Sequence, residues 1–193
     1  IISEADRLQN LVDRLLAPYR TGRSLSDINI HEVLERVRQI ILAEFPKGLS
    51  FIRDYDVSVP TLRGDREQLL QVFLNIEKNA AEALDGKIAE GTAEIRVITR
   101  VAQQVQIGLR RYRLALSIHI QDNGPGVPPE IRDRIFYPLV TGKANGSGLG
   151  LSLAQNFIRQ HDGSIDVESE PGKTDFRILL PLSPPETGDI SPA

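Results

Sequence analysis

The apolar positions of the chain follow two periods, and these periods separate predicted helices from predicted strands. Apolar residues at three- and four-residue spacing predict helices over residues 31–45, 64–84 and 149–158, and a short helix over residues 129–135. Alternating or β-branched apolar residues near turn residues predict six strands, over residues 50–55, 93–101, 104–109, 114–121, 163–169 and 174–182.

The first residues form a separate amphipathic pattern that ends at Pro18. One face of this predicted helix carries five apolar residues, namely Leu8, Leu11, Val12, Leu15 and Leu16. Nothing nearby in the sequence covers that face, and the polar residues 19–27 follow it. The pattern favours the second helix of a helical hairpin, and the alternative is a helix that folds back onto the main domain.

The composition excludes several kinds of function. The chain has no Cys, which excludes a thiol nucleophile, a disulfide framework and a thiolate zinc site. A formal charge of -3 gives no indication of nucleic-acid binding. We find no signal peptide and no apolar run long enough to cross a bilayer, so we expect a cytoplasmic protein without membrane contact. Residues 183–193 are predicted to be disordered.

Two glycine-rich stretches together indicate a nucleotide site. Residues 122–126 (DNGPG) place a carboxylate in a glycine turn, and residues 146–152 (GSGLGLS) lead into a predicted helix. Glycines at alternate positions allow a backbone to approach a ligand closely, and a helix N-terminus can receive phosphate. Either stretch alone is more often an ordinary turn.

Two asparagines lie one turn apart in the predicted helix over residues 64–84. Asn75 and Asn79 are therefore expected on the same helix face, where amide oxygens could bind a hard cation such as Mg²⁺. The alternative is a pair of solvated surface residues. Because Asn is a mediocre helix former, two of them beside the apolar face call for an explanation.

Four motifs of the chain resemble those of the histidine kinase ATP-binding domain, also called the GHKL domain. Residues 75–84 (NIEKNAAEAL) resemble its N box, residues 122–126 its G1 box, residues 136–140 (FYPLV) its F box and residues 146–152 its G2 box. The likeness runs over residues 64–181, and the combination is specific where each motif alone is not. Within the family, the stretches 52–56 and 136–143 are most similar to nitrogen-regulation sensor kinases of the NtrB type.

The resemblance implies the Bergerat ATP-binding fold, a two-layer α/β sandwich of the α+β class with a mixed, largely antiparallel sheet. It also implies an organisation of the chain. Residues 1–18 would complete a dimerisation and phosphoacceptor hairpin, residues 19–27 would be a linker, residues 28–182 would form the ATP-binding catalytic domain and residues 183–193 a tail.

The resemblance further assigns roles around adenine and the metal. Asp122 would accept a hydrogen bond from the adenine amino group, where guanine has a carbonyl. Gly124 and Gly126 would let the backbone approach the base, and Thr174 would add a hydrogen bond to it. Asn79 would hold Mg²⁺ against the triphosphate of ATP, with Asn75 as a supporting ligand or positioning group.

The phosphates would be bound by the second glycine stretch. Backbone N–H groups over residues 146–150, which include Gly146, Gly148, Leu149 and Gly150, would contact phosphate oxygens at the helix N-terminus. Lys143 is a candidate for the γ-phosphate, although an exposed lysine is more often only solvated. Residues 138–145 would form a mobile lid, with Phe136 as its apolar anchor.

One departure distinguishes this chain from the ATP-hydrolysing members of the wider superfamily. Those members have a water-activating Glu four residues before the metal-binding Asn, and this chain has Asn75 there. Glu77 is an unusual polar residue at a position that is usually aliphatic in the family, and the sequence does not explain it. The departure favours phosphotransfer over hydrolysis.

The three histidines do not have the sequence context of a phosphoacceptor. His31 follows the linker, His119 lies in a predicted strand and His161 precedes a turn, so we expect two surface histidines and one strand histidine. The acceptor would then lie on a first hairpin helix outside this chain. The resemblance implies a homodimer in the full-length protein, an NtrC-like response regulator as phosphate receiver, and a PII-type protein as a regulator.

Three functions remain open from the sequence. The first is the catalytic portion of a histidine kinase, the second is a serine kinase of the anti-sigma type, and the third is a nucleotide-binding regulatory module without transfer activity. Phosphoserine on a partner would favour the second, and ATP binding without transfer would favour the third.

Overall fold

The computed structural model describes residues 24–142 and 146–186. The helices in this part of the chain are α1 (Ile30–Glu44), α2 (Arg66–Ala83), α3 (Asp85–Glu90), α4 (Pro129–Arg132) and α5 (Gly150–Gln160). The strands are β1 (Leu25–Ile28), β2 (Leu49–Tyr55), β3 (Leu62–Asp65), β4 (Ala93–Ile107), β5 (Arg110–Asp122), β6 (Ser164–Glu170) and β7 (Lys173–Pro181). None of these helices has the length and apolar character that a membrane crossing requires.

Five strands form the main sheet, in the order β2-β4-β5-β7-β6. The β2–β4 pair is parallel, and the other pairs are antiparallel. Helices α1, α2 and α5 contribute buried apolar residues to the same core as the sheet. The predicted α+β fold with a mixed, largely antiparallel sheet is thereby confirmed.

Helix α2 is the central element of the helical layer, packed against α1 and α5. It begins after Asp65, whose side chain accepts a hydrogen bond from the Gln68 N–H at 3.1 Å, as expected of an N-cap carboxylate. The apolar stripe predicted from the sequence is buried, and Leu69, Phe73 and Ile76 are completely inaccessible. The burial of each of these side chains contributes roughly 1.5–3 kcal/mol to folding.

The boundary predicted at residue 28 is wrong. Strand β1 (Leu25–Ile28) pairs with β3, so residues 25–27 belong to the folded domain and not to a linker. Both strands have only four residues and include charged side chains, which left no apolar alternation to detect. Residues 1–23, with the predicted N-terminal helix, lie outside the described residues.

The prediction of disorder from residue 183 onward is wrong for residues 183–186. The Ser183 hydroxyl accepts a hydrogen bond from the Leu114 N–H at 3.2 Å, and the Glu186 N–H donates to the Arg111 carbonyl at 2.8 Å. These bonds continue the pairing with β5 beyond the end of β7. The strands predicted over residues 93–101 and 104–109 are also one continuous strand, β4.

His161 is buried, in contrast to the prediction of a surface position. Its Nε2 accepts a hydrogen bond from the Asp65 N–H at 2.9 Å, which requires that the proton of the neutral ring be on Nδ1. Nδ1 in turn donates to the Phe157 carbonyl at 2.7 Å. His161 thus fastens the end of α5 to the start of α2.

We expect His161→Phe to lower the free energy of unfolding by about 1–3 kcal/mol, because the buried Asp65 N–H would lose its acceptor while an aromatic ring stays at this position. Urea unfolding followed by circular dichroism measures this loss. An unchanged free energy of unfolding would show that the two hydrogen bonds of His161 do not stabilise the packing of α5 on α2.

Candidate nucleotide-binding site

Asp122 lies at the end of β5, where its side chain is largely buried. The carboxylate accepts a hydrogen bond from the Gly124 N–H at 2.8 Å, and Asp122 pairs directly with Thr174 of β7. Burial raises the pKa of Asp122, and hydrogen bonds from Gly124 and Thr174 oppose that rise. The two predicted adenine-binding side chains therefore lie side by side on neighbouring strands.

The turn after β5 contains Gly124 and Gly126, and neither position has room for a side chain. A Cβ on Gly124 would lie 2.7 Å from the carboxylate of Asp122. Gly126 has φ +87°, and a Cβ there would lie 2.9 Å from the carbonyl oxygen of Glu170. A larger residue at either position would displace the turn or the carboxylate, so these glycines keep the end of β5 in place.

Asn123 holds the same turn against β4, a role that the sequence analysis missed. Its Oδ1 accepts from the Glu94 N–H and its Nδ2 donates to the Thr92 carbonyl, both at 2.9 Å. The tendency of Asn to bond nearby backbone in turns is the signal that could have indicated this role.

Ser169 is a second residue that the sequence analysis missed. Its hydroxyl accepts from the Val127 N–H at 2.8 Å and lies 3.2 Å from the Thr174 hydroxyl. Ser169 therefore connects the chain after the glycine turn to the predicted adenine-binding threonine.

Asn75 joins helix α2 to the start of helix α5. Its Nδ2 donates to the Gly150 carbonyl at 3.0 Å, and its Oδ1 accepts from Gln71 Nε2 at 2.8 Å. Both ends of the amide are engaged within the protein, which supports the positioning role of Asn75. Its role as a metal ligand stays a prediction.

Asn79 lies one turn further along α2 and is half-buried. The end of the same helix contacts the turn after β5, since a Cβ on Gly124 would lie 3.5 Å from the Leu84 side chain and 3.8 Å from the Ala83 carbonyl oxygen. Helix α2 thus meets the predicted adenine-binding turn at its end and the glycine-rich stretch at Asn75, with Asn79 between the two contacts.

The glycine-rich stretch makes a tight turn immediately before α5. Gly148 has φ +65°, and a Cβ there would lie 2.5 Å from the backbone of Leu139. The Leu139 N–H donates to the Gly148 carbonyl at 3.0 Å, and the Leu149 side chain is buried. The first turn of α5 has no side-chain cap, which is the arrangement that suits an incoming anion.

The predicted lid is only partly described. Lys143 lies outside the described residues, so its proposed contact with the γ-phosphate stays a prediction. Phe136 packs edge-on against Phe176 of β7 with ring centroids 6.4 Å apart, consistent with an apolar anchor at the start of the lid.

The prediction for a metal ion at this site is that Asn79 binds it together with the nucleotide. Within the described ranges, no group of three or more His, Asp or Glu side chains could hold a metal ion. Mg²⁺ is commonly held by one or two protein oxygens together with substrate phosphates, and the amide oxygen of Asn79 fits that pattern.

Comparison with known proteins agrees with this geometry. Residues 64–184 match the family described as histidine kinase-, DNA gyrase B-, and HSP90-like ATPase. The sensory histidine kinase/phosphatase NtrB of Salmonella typhimurium is 50% identical over 182 residues, which cover 94% of this chain and 51% of the relative. The Rhodobacter capsulatus NtrB is 44% identical over 193 residues, covering 96% and 52% respectively.

Solved histidine kinases share the fold. Full-length ShkA in complex with AMPPNP has a TM-score of 0.72 at 24% identity, over 94% of this chain and 37% of that one. ThkA in complex with the response regulator TrrA has a TM-score of 0.69 at 22% identity, over 95% of this chain and 49% of that one.

The matched family region contains each of the predicted adenine, metal and phosphate residues. The chain spans about half the length of the curated relatives it matches. It belongs to the histidine kinase-, DNA gyrase B- and HSP90-like ATPase family.

Proposed function

We propose that this chain is the catalytic ATP-binding portion of an NtrB-like sensor histidine kinase. It would bind Mg-ATP and transfer the γ-phosphate to a histidine outside the chain, for relay to an aspartate of a response regulator. The observation that carries the proposal is the meeting of three elements at one place: the Asp122–Thr174 strand ends, the Asn75–Asn79 face of α2 and the start of α5.

Adenine recognition is assigned to the strand ends. The Asp122 carboxylate is already oriented by the Gly124 N–H, so it need not reorganise to accept a hydrogen bond from the adenine amino group. Guanine presents a carbonyl at the same place, and a carboxylate facing that oxygen would be repelled. The Thr174 hydroxyl, held beside Ser169, would supply a second polar contact.

Phosphate binding is assigned to the start of α5 and the preceding glycines. The N–H groups there are polarised by the helix and would bind phosphate oxygens. Bound Mg²⁺ would neutralise phosphate charge, with Asn79 as its protein ligand. Lys143 would add a positive charge from the lid.

Transfer is favoured over hydrolysis by the identity and contacts of Asn75. The ATP-hydrolysing relatives have a carboxylate at this position to activate water, and an amide is not basic enough to do so. The Asn75 side chain also donates a hydrogen bond to Gly150, which links helix α2 to helix α5. Bound ATP would therefore persist until an acceptor histidine attacks the γ-phosphorus and ADP leaves.

The proposed partners follow from the proposed activity. They are the first hairpin helix that carries the acceptor histidine, a second copy of the full-length protein, an NtrC-like response regulator and a PII-type regulatory protein. ThkA, which has the same fold, was solved with a response regulator.

We expect Asp122→Asn to weaken ADP binding by about 1–3 kcal/mol, or roughly 5- to 150-fold, because the charge-assisted hydrogen bond to adenine is lost. Titration calorimetry with ADP and GDP measures both affinity and base preference. Asp166→Asn, on the exposed face of β6, is the matched control and should bind like the wild type. Unchanged ADP affinity in Asp122→Asn would remove this residue from the site.

We expect the chain to phosphorylate a separately supplied dimerisation hairpin that contains the acceptor histidine, and not to label itself. Labelled ATP and gel analysis measure this transfer. Asn79→Ala should abolish transfer and the Mg²⁺ enhancement of nucleotide affinity, and Asn75→Ala should reduce transfer less.

Two results would contradict this assignment. Acid-labile label on the isolated chain that disappears in His31→Ala would place the acceptor at His31. A Mg²⁺ enhancement of nucleotide affinity that survives in Asn79→Ala would exclude Asn79 as the metal ligand.

A further inference from the structure

Three polar side chains lie in one row across the main sheet. Asp122 of β5 pairs with Thr174 of β7, and Thr174 pairs in turn with Ser169 of β6. Residues directly opposite one another in an antiparallel pair point to the same face of a sheet, with Cβ atoms about 4.5–5.5 Å apart. Each polar group of this row therefore lies within reach of the next, and Asp122 and Thr174 are buried.

The Ser169 hydroxyl takes part in two hydrogen bonds. The Val127 N–H has no acceptor capacity, and it donates to the Ser169 oxygen at 2.8 Å. The proton of Ser169 remains for a second bond, and the Thr174 hydroxyl oxygen lies 3.2 Å away. The distance between these two hydroxyls allows either of them to be the donor.

The Asp122 carboxylate decides which hydroxyl donates. It accepts from the Gly124 N–H at 2.8 Å and is also hydrogen-bonded to Thr174. An ionised carboxylate has no proton to donate, so the Thr174 hydroxyl is the donor in that bond. Because Thr174 has a single proton, Ser169 is the donor in the bond between the two hydroxyls.

The hydrogen bonds thus form a chain in which every proton points the same way, from the Val127 N–H through Ser169 and Thr174 to Asp122. Each proton of this chain is used within the protein. What Thr174 and Asp122 present to a ligand at the strand ends is lone pairs. The exocyclic amino group of adenine is a donor and matches them.

We propose that Ser169 is a positioning residue for recognition of the adenine amino group, and that it acts through Thr174 on Asp122. The inference rests on the proposed nucleotide-binding function and refines how the base is recognised there. Ser169 fixes the direction of the Thr174 proton. Successive hydrogen bonds in a chain polarise one another, so donation from Ser169 strengthens the bond from Thr174 to Asp122.

A purely structural role for Ser169 would have a different consequence. The bond from Val127 ties β6 to the chain after the glycine turn, and the Gly172 N–H donates to the Gly124 carbonyl of the same turn at 2.8 Å. Loosening these contacts would displace the turn as a whole and weaken every bound nucleotide alike. Loss of the proton direction acts on the amino group alone.

The test compares two nucleotides that differ only in this amino group. ADP carries it, and purine riboside diphosphate has a hydrogen in its place. We expect Ser169→Ala to weaken ADP binding by roughly 2- to 10-fold, as for the loss of one neutral hydrogen bond, and to leave binding of purine riboside diphosphate within about twofold of the wild type. Titration calorimetry on the whole chain with Mg²⁺ present measures both affinities.

Three further variants test the route and the specificity of this effect. Ser169→Thr keeps the hydroxyl and should bind ADP like the wild type. Thr174→Val removes the group through which Ser169 acts, so adding Ser169→Ala to it should lower ADP affinity by less than Ser169→Ala does in the wild type. Ser164→Ala removes a hydroxyl from the start of the same strand, and this matched control should keep the wild-type ADP affinity.

The failure of this inference can be told apart from the failure of the proposed function. Unchanged ADP affinity in Ser169→Ala, equal weakening of both nucleotides, or the same loss in Ser169→Thr or Ser164→Ala would overturn the inference. If Asp122→Asn still weakens ADP binding, the proposed function would stand. Absence of ADP binding by the wild type would overturn the proposed function and the inference with it.

Discussion

The fixed relation between helices α2 and α5 is the constraint on which the nucleotide site depends. Two hydrogen-bonded contacts hold these helices antiparallel: Asn75 binds the start of α5 at Gly150, and His161 at the end of α5 binds the start of α2 at Asp65. The contacts lie ten residues apart on one helix and eleven on the other. The helix with the proposed metal ligand and the helix with the proposed phosphate-binding N–H groups are therefore aligned before any ligand binds.

The two polar residues Asn75 and Glu77 belong to the same helix but have different surroundings. Asn75 faces α5, and both ends of its amide are satisfied by protein groups. Glu77 is only two residues away but is completely buried, and its carboxylate oxygens have no hydrogen-bond partner among the described residues. The first arrangement contributes rigidity to the nucleotide site. The second leaves a polar side chain buried in the layer of helices.

The fold and the glycine turn at residues 122–126 could be predicted from motifs that are local in the sequence. Gly124 and Gly126 could be identified from the DNGPG motif, and a side chain would crowd the Asp122 carboxylate at the first position and the Glu170 backbone at the second. Strands β1 and β3 could not be predicted from the sequence. Each has only four residues, and the two strands pair across more than thirty intervening residues. The burial of Glu77 and His161 was likewise invisible, because it depends on which faces of distant elements meet.

Strand β1 and its neighbours connect the start of the described chain to the nucleotide-binding helix. The Ser24 N–H donates to Oδ2 of Asp65 at 3.0 Å, while Oδ1 of the same carboxylate caps α2 through Gln68. The backbone N–H of Asp65 is held by His161 at the end of α5. A displacement of Ser24 would therefore reach α2 through the Asp65 carboxylate and α5 through the Asp65 backbone, in addition to the load carried by the pairing of β1 with β3.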